Sequence, residues 1–206
     1  MALEVYWASG SAPAWRVLLT LALKGVPHES RPVRLARREQ RSAWFLAINP
    51  RGKVPVIRDG DLILTESLAI MVYLDRKHPE PPLFGETAEE AGVIWRWIGE
   101  HDAWLWPPLL GLVRPVLYGA PGATKEKAGE IADAAEKLAG ELARLEAALT
   151  RSPYLAGERV SAADVVWFPS VQLVMRAAKR AGLPIDPTPA VAAWSARLEA
   201  VPGCDD

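Results

Sequence analysis

The sequence predicts two domains, an α/β domain at residues 1–80 and an all-α domain at residues 88–206, joined by a linker at residues 81–87. Three observations support this prediction. Over the first 80 residues short β-type runs alternate with helical ones, which is the pattern of an α/β unit. After Thr87 only helical periodicity and loops remain. Between the two parts, the run from His78 to Gly85 has three prolines in four positions, which prevent a helix from continuing.

The first domain is predicted to follow the order β-α-β-α-β-β-α. Apolar β-type runs indicate strands at residues 3–7, 29–35, 54–58 and 62–65. The Asp59-Gly60 turn between the last two runs is a hairpin signal. Helical spacing of apolar residues predicts helices at residues 13–25, 37–46 and 66–77.

The second domain is predicted to contain four main helices. Their ranges are about 88–106, 126–149, 161–181 and 190–201, and the second has the clearest amphipathic pattern. Ser161 and Asp164 have the spacing of a capping box at the start of the third helix.

Composition excludes several classes of function. The chain of 206 residues has a net charge of −1, with Lys and Arg scattered among Asp and Glu, so no nucleic-acid partner is expected. No apolar stretch reaches the roughly 20 residues of a membrane span. An acid, Glu4, stands where a signal peptide would be basic, which favours a cytoplasmic location. The single cysteine, Cys204, allows no disulfide within one chain.

Motifs of phosphate-loop, dinucleotide-binding, serine-hydrolase and zinc-protease type are missing from the sequence. His28, His78 and His101 lack the spacing of metal ligands, so we expect surface or capping positions and no metal. Most of the nine tryptophans are expected in the core, although Trp104 and Trp106 could line an apolar pocket.

Three segments of the first domain carry groups suited to a ligand. The turn from Ser9 to Arg16 offers two hydroxyls at a helix N-terminus, which favours an anion such as a thiolate, although Ser11 could be only an N-cap. The second segment, Val54-Pro55, suits an edge strand whose backbone could pair with a peptide-like ligand. General preference makes this X-Pro bond trans, with cis allowed.

The third segment, from Thr65 to Ser67, opens a helix with a carboxylate, a hydroxyl and free backbone amides. Ser67 and the amides suit the carboxylate of an amino-acid-like ligand, and Glu66 suits its ammonium group. Helix capping alone is the alternative interpretation.

Together these segments resemble the cytosolic glutathione transferases over nearly the whole chain. The resemblance rests on the order of elements, on NPRGKVP at residues 49–55, on LTESLAI at residues 64–70 followed by Tyr73-Leu74, and on the capping box at Ser161. It implies a thioredoxin-like N-terminal domain that binds glutathione and an all-α domain with an electrophile pocket. The stretch from Ser11 to Val17 looks most like the zeta class and its serine-type relatives, and we expect a bacterial member close to the zeta and theta-like classes.

The resemblance also implies roles for individual residues. Pro55 would be cis, Val54 would pair its backbone with the cysteinyl part of glutathione, and Lys53 would contact the glycyl carboxylate. Glu66 and Ser67 would hold the γ-glutamyl end, and Ser11 would activate the thiol. Ser161 and Asp164 correspond to the structural capping box of the family.

The sequence departs from the zeta pattern where that class has a Ser-Ser-Cys-Ser run, because this chain has Ser11-Ala12-Pro13-Ala14. Maleylacetoacetate isomerisation is therefore not expected. Ser9 could replace Ser11 if the turn is shifted by two residues. Tyr6 falls within the first strand, too early for a tyrosine-type enzyme.

These expectations combine into a glutathione transferase that joins the glutathione thiolate to a hydrophobic electrophile. Trp106, Leu110 and Tyr118 are the expected residues of the electrophile pocket. Glutathione is the co-substrate, no metal is implied, and the resemblance implies a homodimer. The alternatives are a glutathione-dependent isomerase or peroxidase of the same fold, or a non-catalytic glutathione-binding scaffold.

Overall fold

The computed structural model describes residues 2–202. Within these residues two compact units are present, 2–83 with 199–202, and Phe84–Leu198. The predicted fold class, an α/β thioredoxin-like domain and an all-α domain, is confirmed. None of the helices among residues 2–202 combines the length and the apolarity that a membrane crossing requires. Cys204 lies outside the described residues.

The first unit is built on a four-stranded mixed sheet in the order β2-β1-β3-β4. Strand β1 pairs parallel with β2 and antiparallel with β3, and β3 pairs antiparallel with β4. The strands are β1 (Glu4–Trp7), β2 (Glu29–Pro32), β3 (Val56–Asp59) and β4 (Leu62–Thr65), and the helices are α1 (Ala12–Leu23), α2 (Ala43–Ile48) and α3 (Ser67–Lys77).

An apolar core joins α1 and α3 to the sheet. Val5 and Ile57 of the sheet are fully buried against Val17 of α1 and Ile70 and Leu74 of α3. Because side chains alternate along a strand, the neighbouring Tyr6 and Val56 enter a second cluster with Val33 and Phe45. The sheet therefore has a packed layer on both faces, as its apolar runs indicate.

The segment between β2 and α2 differs from the prediction. In place of a helix at residues 37–46, the chain forms two 3₁₀ turns, Leu35–Arg37 and Glu39–Arg41, before α2 begins at Ala43. Arg38 has a φ of 57°, a left-handed conformation that interrupts helical hydrogen bonding. The predicted strand at residues 29–35 also ends early, at Pro32. Its partner strand β1 ends at Trp7, and the last contact between the two strands is the hydrogen bond from the Val33 N–H to the Trp7 carbonyl, at 2.7 Å.

A buried ion pair fixes the end of α3. The Lys24 ammonium at the end of α1 lies 2.8 Å from the Asp75 carboxylate and donates to the carbonyls of His78 and Pro81, both at 2.7 Å. Asp75 also accepts a hydrogen bond from the Leu83 N–H at 2.9 Å. These bonds hold the proline-rich segment against the first unit.

The second unit is helical within the described residues. It contains α4 (Ala88–Glu100), a π-helical segment His101–Leu105, α5 (Trp106–Leu117), α6 (Ala123–Glu126), α7 (Ala128–Leu149), α8 (Ala162–Ala181) and α9 (Pro189–Glu199). The first helix of this unit was predicted to end at about residue 106, but the chain stays helical to Leu117. Pro107 and Pro108 occupy the first turn of α5, where proline is tolerated.

Helix α8 is the centre of this unit, with almost every residue from Ala162 to Val171 buried. The predicted capping box is confirmed, since the Asp164 carboxylate accepts hydrogen bonds from the N–H and hydroxyl of Ser161 at 2.9 and 2.8 Å. The same carboxylate accepts from the Leu155 N–H and the Trp194 indole, both at 2.9 Å. Burial raises the pKa of Asp164, and these donors oppose that shift.

The expectation that most tryptophans are core residues is wrong. Only Trp97, Trp167 and Trp194 are buried, whereas Trp44, Trp95 and Trp104 are exposed. Two exposed indoles still pack edgewise or tilted against another ring, Trp44 against Phe45 and Trp95 against Phe84. Aromatic packing of this kind stabilises a ring without removing it from water.

Candidate functional site

The three ligand-suited segments meet at one end of the sheet. Strand β1 ends at Trp7, and its neighbour Tyr6 is paired with Val56, the first residue of β3. Val56 is paired on its other side with Thr65, the last residue of β4. The turn that carries Ser11, the Val54-Pro55 pair and the Glu66-Ser67 pair therefore leave the sheet side by side.

Ser11 caps α1 and keeps its hydroxyl proton available. Its Oγ accepts a hydrogen bond from the Ala14 N–H at 3.3 Å, so the capping interpretation is correct. A serine hydroxyl also has a donor, and within the described residues this donor has no partner. The two interpretations are thus compatible, because the hydroxyl can cap the helix and donate to an anion at the same time.

The segment before β3 is fixed by Asn49. Its buried side chain donates to the Lys53 carbonyl at 2.7 Å and accepts from the Arg51 N–H at 3.1 Å. The Val54–Pro55 peptide is cis, as the resemblance implies and against the general preference for trans. Neither the N–H nor the carbonyl of Val54 has a hydrogen bond within the described residues, so this edge can pair with a ligand backbone.

At the start of α3 the structure removes the capping alternative. Glu66 occupies the N-cap position, but its exposed side chain makes no capping hydrogen bond. Its φ of 68° is left-handed, a conformation that is rare for Glu and that clusters at ligand-binding sites. Ser67 is the first helical residue, with its side chain buried beside the free amides of the first turn. Carboxylate, hydroxyl and amides are therefore all available to a ligand.

Arg41 belongs to the same region, and the sequence analysis missed it. A Cβ built on Gly52 would lie 2.8 Å from the Gln40 carbonyl and 3.0 Å from Nη1 of Arg41. Gly52, with a φ of 61°, thus allows the chain to pass directly against this guanidinium, next to Lys53. The run of arginines at residues 37–41 is the only sequence signal, and it does not single out Arg41.

Tyr6 lies within β1, as expected, and its chemistry is unsuited to activating a thiol. Its hydroxyl donates to the Glu4 carboxylate at 3.1 Å. Burial raises the pKa of Tyr6, and the hydrogen bond to Glu4 raises it further. The phenol is therefore held in its protonated form with its proton already engaged.

The expected pocket residues are on α5 and at its C-terminal end. Trp106 and Leu110, four residues apart, share one face of the helix and are half-buried, and Tyr118 at the C-cap is exposed. Their role in binding an electrophile stays a prediction.

No group of three or more His, Cys, Asp and Glu side chains between residues 2 and 202 could hold a metal ion. His28 is exposed and His78 is the C-cap of α3, whereas His101 is at the C-cap of α4 but not at the surface. That ring is fully buried and lies 2.8 Å from both the Ser170 hydroxyl and the Asp102 carboxylate. It is a satisfied core histidine in the second unit.

Comparison with known proteins gives the family. Residues 10–77 match the family model for "Glutathione S-transferase, N-terminal domain", and residues 128–197 match that for "Glutathione S-transferase, C-terminal domain". Glutathione S-transferase F9 of Arabidopsis thaliana is 37% identical over 82% of this chain and 79% of its own length. Glutathione S-transferase 4 of Zea mays is 35% identical over 99% of this chain and 91% of its own length.

Solved structures agree with these matches. The crystal structure of poplar glutathione transferase F1 superposes with a TM-score of 0.86 at 26% identity, covering 99% of this chain and 95% of that chain. Glutathione S-transferase-I, solved with lactoylglutathione bound, superposes with a TM-score of 0.78 at 29% identity, covering 99% of this chain and 97% of that chain. The chain therefore belongs to the glutathione S-transferase family, whose members conjugate glutathione, the co-substrate, to a second molecule.

Proposed function

We propose that glutathione binds at the sheet end where Ser11, Val54 and Glu66 lie, and that Ser11 stabilises its thiolate. The observation that carries this proposal is that several polar groups at this sheet end have no hydrogen-bond partner among residues 2–202. The Val54 backbone suits the cysteinyl peptide, Glu66 and Ser67 suit the γ-glutamyl ammonium and carboxylate, and Lys53 suits the glycyl carboxylate. Pro55 fixes the direction of the Val54 carbonyl.

The proposed chemistry is a nucleophilic attack by the glutathione sulfur. The Ser11 hydroxyl donates a hydrogen bond to the thiolate, and the N-terminal end of α1 adds a favourable dipole. Each unit by which the thiol pKa falls below about 8.5 corresponds to about 1.4 kcal/mol of thiolate stabilisation. The thiolate forms a bond to the electrophilic atom, and in a displacement the leaving group departs with its electron pair. The protein supplies orientation and thiolate stabilisation.

The finer assignments belong to the same proposal. We propose a serine-type enzyme, residues 1–80 as the glutathione-binding domain and residues 88–206 as the helical domain after the linker 81–87. The electrophile pocket, hydrophobic and on the helical domain, would use Trp106, Leu110 and Tyr118. Glutathione S-transferase Z1 of Arabidopsis thaliana is 47% identical over 44% of this chain, which supports the likeness to the zeta class in that part alone. The bacterial origin, the theta-like class and the cytoplasmic location stay predictions.

The role of Ser11 is tested by Ser11→Ala with Ser9→Ala as the matched control. We expect Ser11→Ala to raise the thiol pKa of bound glutathione, read from the ultraviolet thiolate absorbance across pH, and to lower turnover of an aryl halide about tenfold or more. Calorimetry should show a much smaller change in glutathione affinity, as expected for an interaction made with the thiolate. Full turnover in Ser11→Ala, or an equal loss in Ser9→Ala, would exclude this role.

A further inference from the structure

Residues 34–53 concentrate positive charge that the total composition conceals. This basic segment holds Glu39 as its only acid and six cations, so its net charge is +5 in a chain of net charge −1; the cations are Arg34, Arg37, Arg38, Arg41, Arg51 and Lys53. The remainder of the chain is accordingly acidic. A scattered distribution of charges is thus the wrong description of this part of the sequence.

The charges of the basic segment are exposed and largely uncompensated. All six cationic residues are exposed. Arg34 lies 3.8 Å from the Glu39 carboxylate, whereas the side chains of the other five have no ion pair or hydrogen bond within the described residues. The two 3₁₀ turns, which contain Arg37 and Arg41, bury none of their residues, so the side chains of these turns project into solvent. Such a surface maintains a positive potential beyond itself.

This segment is continuous with the proposed glutathione site. It ends at Lys53, next to Val54, and the Arg41 guanidinium packs against Gly52. Glutathione has two carboxylates and one ammonium group at neutral pH, so it is a net anion, and its thiolate adds a second negative charge. Only a few of the six cations can touch one tripeptide, and the others can act on it through their field alone.

We propose that the basic segment attracts anionic glutathione at long range, through cations such as Arg37 and Arg38 that do not contact it. The inference rests on the proposed function, because it needs glutathione to bind at the adjacent sheet end. Exposed charges interact appreciably only within about one Debye length, which is about 30 Å at about 0.01 M salt and about 3 Å at about 1 M salt. The attraction therefore weakens as the salt concentration rises.

The test measures the dissociation constant of glutathione by calorimetry over a series of sodium chloride concentrations. We expect the constant of the unmodified protein to rise about tenfold from about 0.01 M to about 0.5 M salt. Arg37→Gln with Arg38→Gln should raise it about threefold at low salt and leave it unchanged at high salt. Arg37→Glu with Arg38→Glu changes the net charge by twice as much, so it should raise the logarithm of the dissociation constant at low salt by about twice as much. Turnover at saturating glutathione should be unchanged in both.

Arg176→Gln with Arg180→Gln is the matched control. Both residues are exposed on α8, and their side chains have no ion pair or hydrogen bond within the described part of the chain. Their replacement changes the net charge by the same amount. A salt-independent dissociation constant, or an equal loss in this control, would overturn the inference while leaving the glutathione site intact. If the unmodified protein binds no glutathione at any salt concentration, the proposed function itself fails.

Discussion

Glu66 shows what the sequence could and could not predict at the scale of one residue. A carboxylate followed by a hydroxyl at a helix start is compatible both with capping and with ligand binding. Backbone conformation decides between them, because a φ of 68° turns the Glu66 side chain away from the amides it would cap. Because Glu rarely adopts a positive φ, the residue type does not predict this conformation. The choice between capping and ligand binding could therefore not be made from the sequence.

Because the Glu66 side chain does not cap α3, its removal should affect binding and not folding. We expect Glu66→Ala to weaken glutathione binding about tenfold or more, since a charge-assisted hydrogen bond contributes about 1.5–3 kcal/mol. The free energy of unfolding should change by less than about 0.5 kcal/mol. Calorimetry and urea denaturation measure the two quantities. Glu66→Gln, which keeps the shape and loses the charge, should resemble Glu66→Ala in binding; unchanged affinity in both variants would refute the role.

Arg41 illustrates a different limit. Three arginines stand close together at residues 37, 38 and 41, and nothing local distinguishes the third. Only its packing against Gly52, eleven residues further along the chain, places it beside the site. A contact between segments cannot be inferred from the composition of either one.

At the scale of elements, periodicity predicted the long helices α7 and α8 of the second unit well, because long amphipathic patterns are unambiguous, whereas it missed α5. Helix α7 begins within two residues of the expected start and ends where expected. The first unit was harder where elements are short. The helix expected at residues 37–46 is replaced by two 3₁₀ turns and α2, since a single left-handed Arg38 divides a short pattern.

The N-terminus of helix α9 is capped by a side chain of another helix. The Glu146 carboxylate of α7 accepts hydrogen bonds from the N–H groups of Ala190 and Val191, both at 3.0 Å, and from the Thr188 hydroxyl. The Thr188 hydroxyl is the largest cause that lowers the pKa of Glu146, and the two backbone N–H groups add to it. Glu146 thus caps the N-terminus of α9 from a position on another helix.

The lowered pKa of Glu146 determines how the stability contributed by this cap changes with pH. Stabilisation by a carboxylate whose pKa is lower in the folded chain is complete above its unfolded pKa of 4.5 and is lost as the pH falls through the folded value. We expect Glu146→Gln to destabilise the protein by about 1 kcal/mol at neutral pH, the usual effect of losing a helix cap. The difference in the free energy of unfolding between Glu146→Gln and the unmodified protein should become smaller in acid.

Urea denaturation between neutral pH and pH values below 4.5 measures this difference. Glu136→Gln controls for the loss of a charge on the same helix, because Glu136 is exposed on α7 and its side chain has no partner among residues 2–202. A difference for Glu146→Gln that stays constant with pH would show that the carboxylate does not carry the cap.

At the scale of the whole molecule, each unit presents apolar side chains to solvent. Leu62 and Ile63 lie on the edge strand β4 and are 41% and 40% exposed, and Val93 and Trp95 lie on α4 and are 39% and 46% exposed. A monomer rarely leaves an apolar edge strand and an apolar helix face open to water. These surfaces support the homodimer that the resemblance implies, because a two-fold assembly can cover apolar surface in each copy.

Sedimentation analysis should therefore give a species of about twice the 22.5 kDa chain mass. Ile63→Glu and Val93→Glu place a charge on these surfaces, and each should shift the population toward the monomer, because burying an unpaired charge in an interface is strongly unfavourable. Leu35→Glu is the matched control, since Leu35 is similarly exposed, at 38%, but lies in the basic segment. A dimer that tolerates both charges would place the interface elsewhere, and a monomeric unmodified protein would refute the proposed assembly.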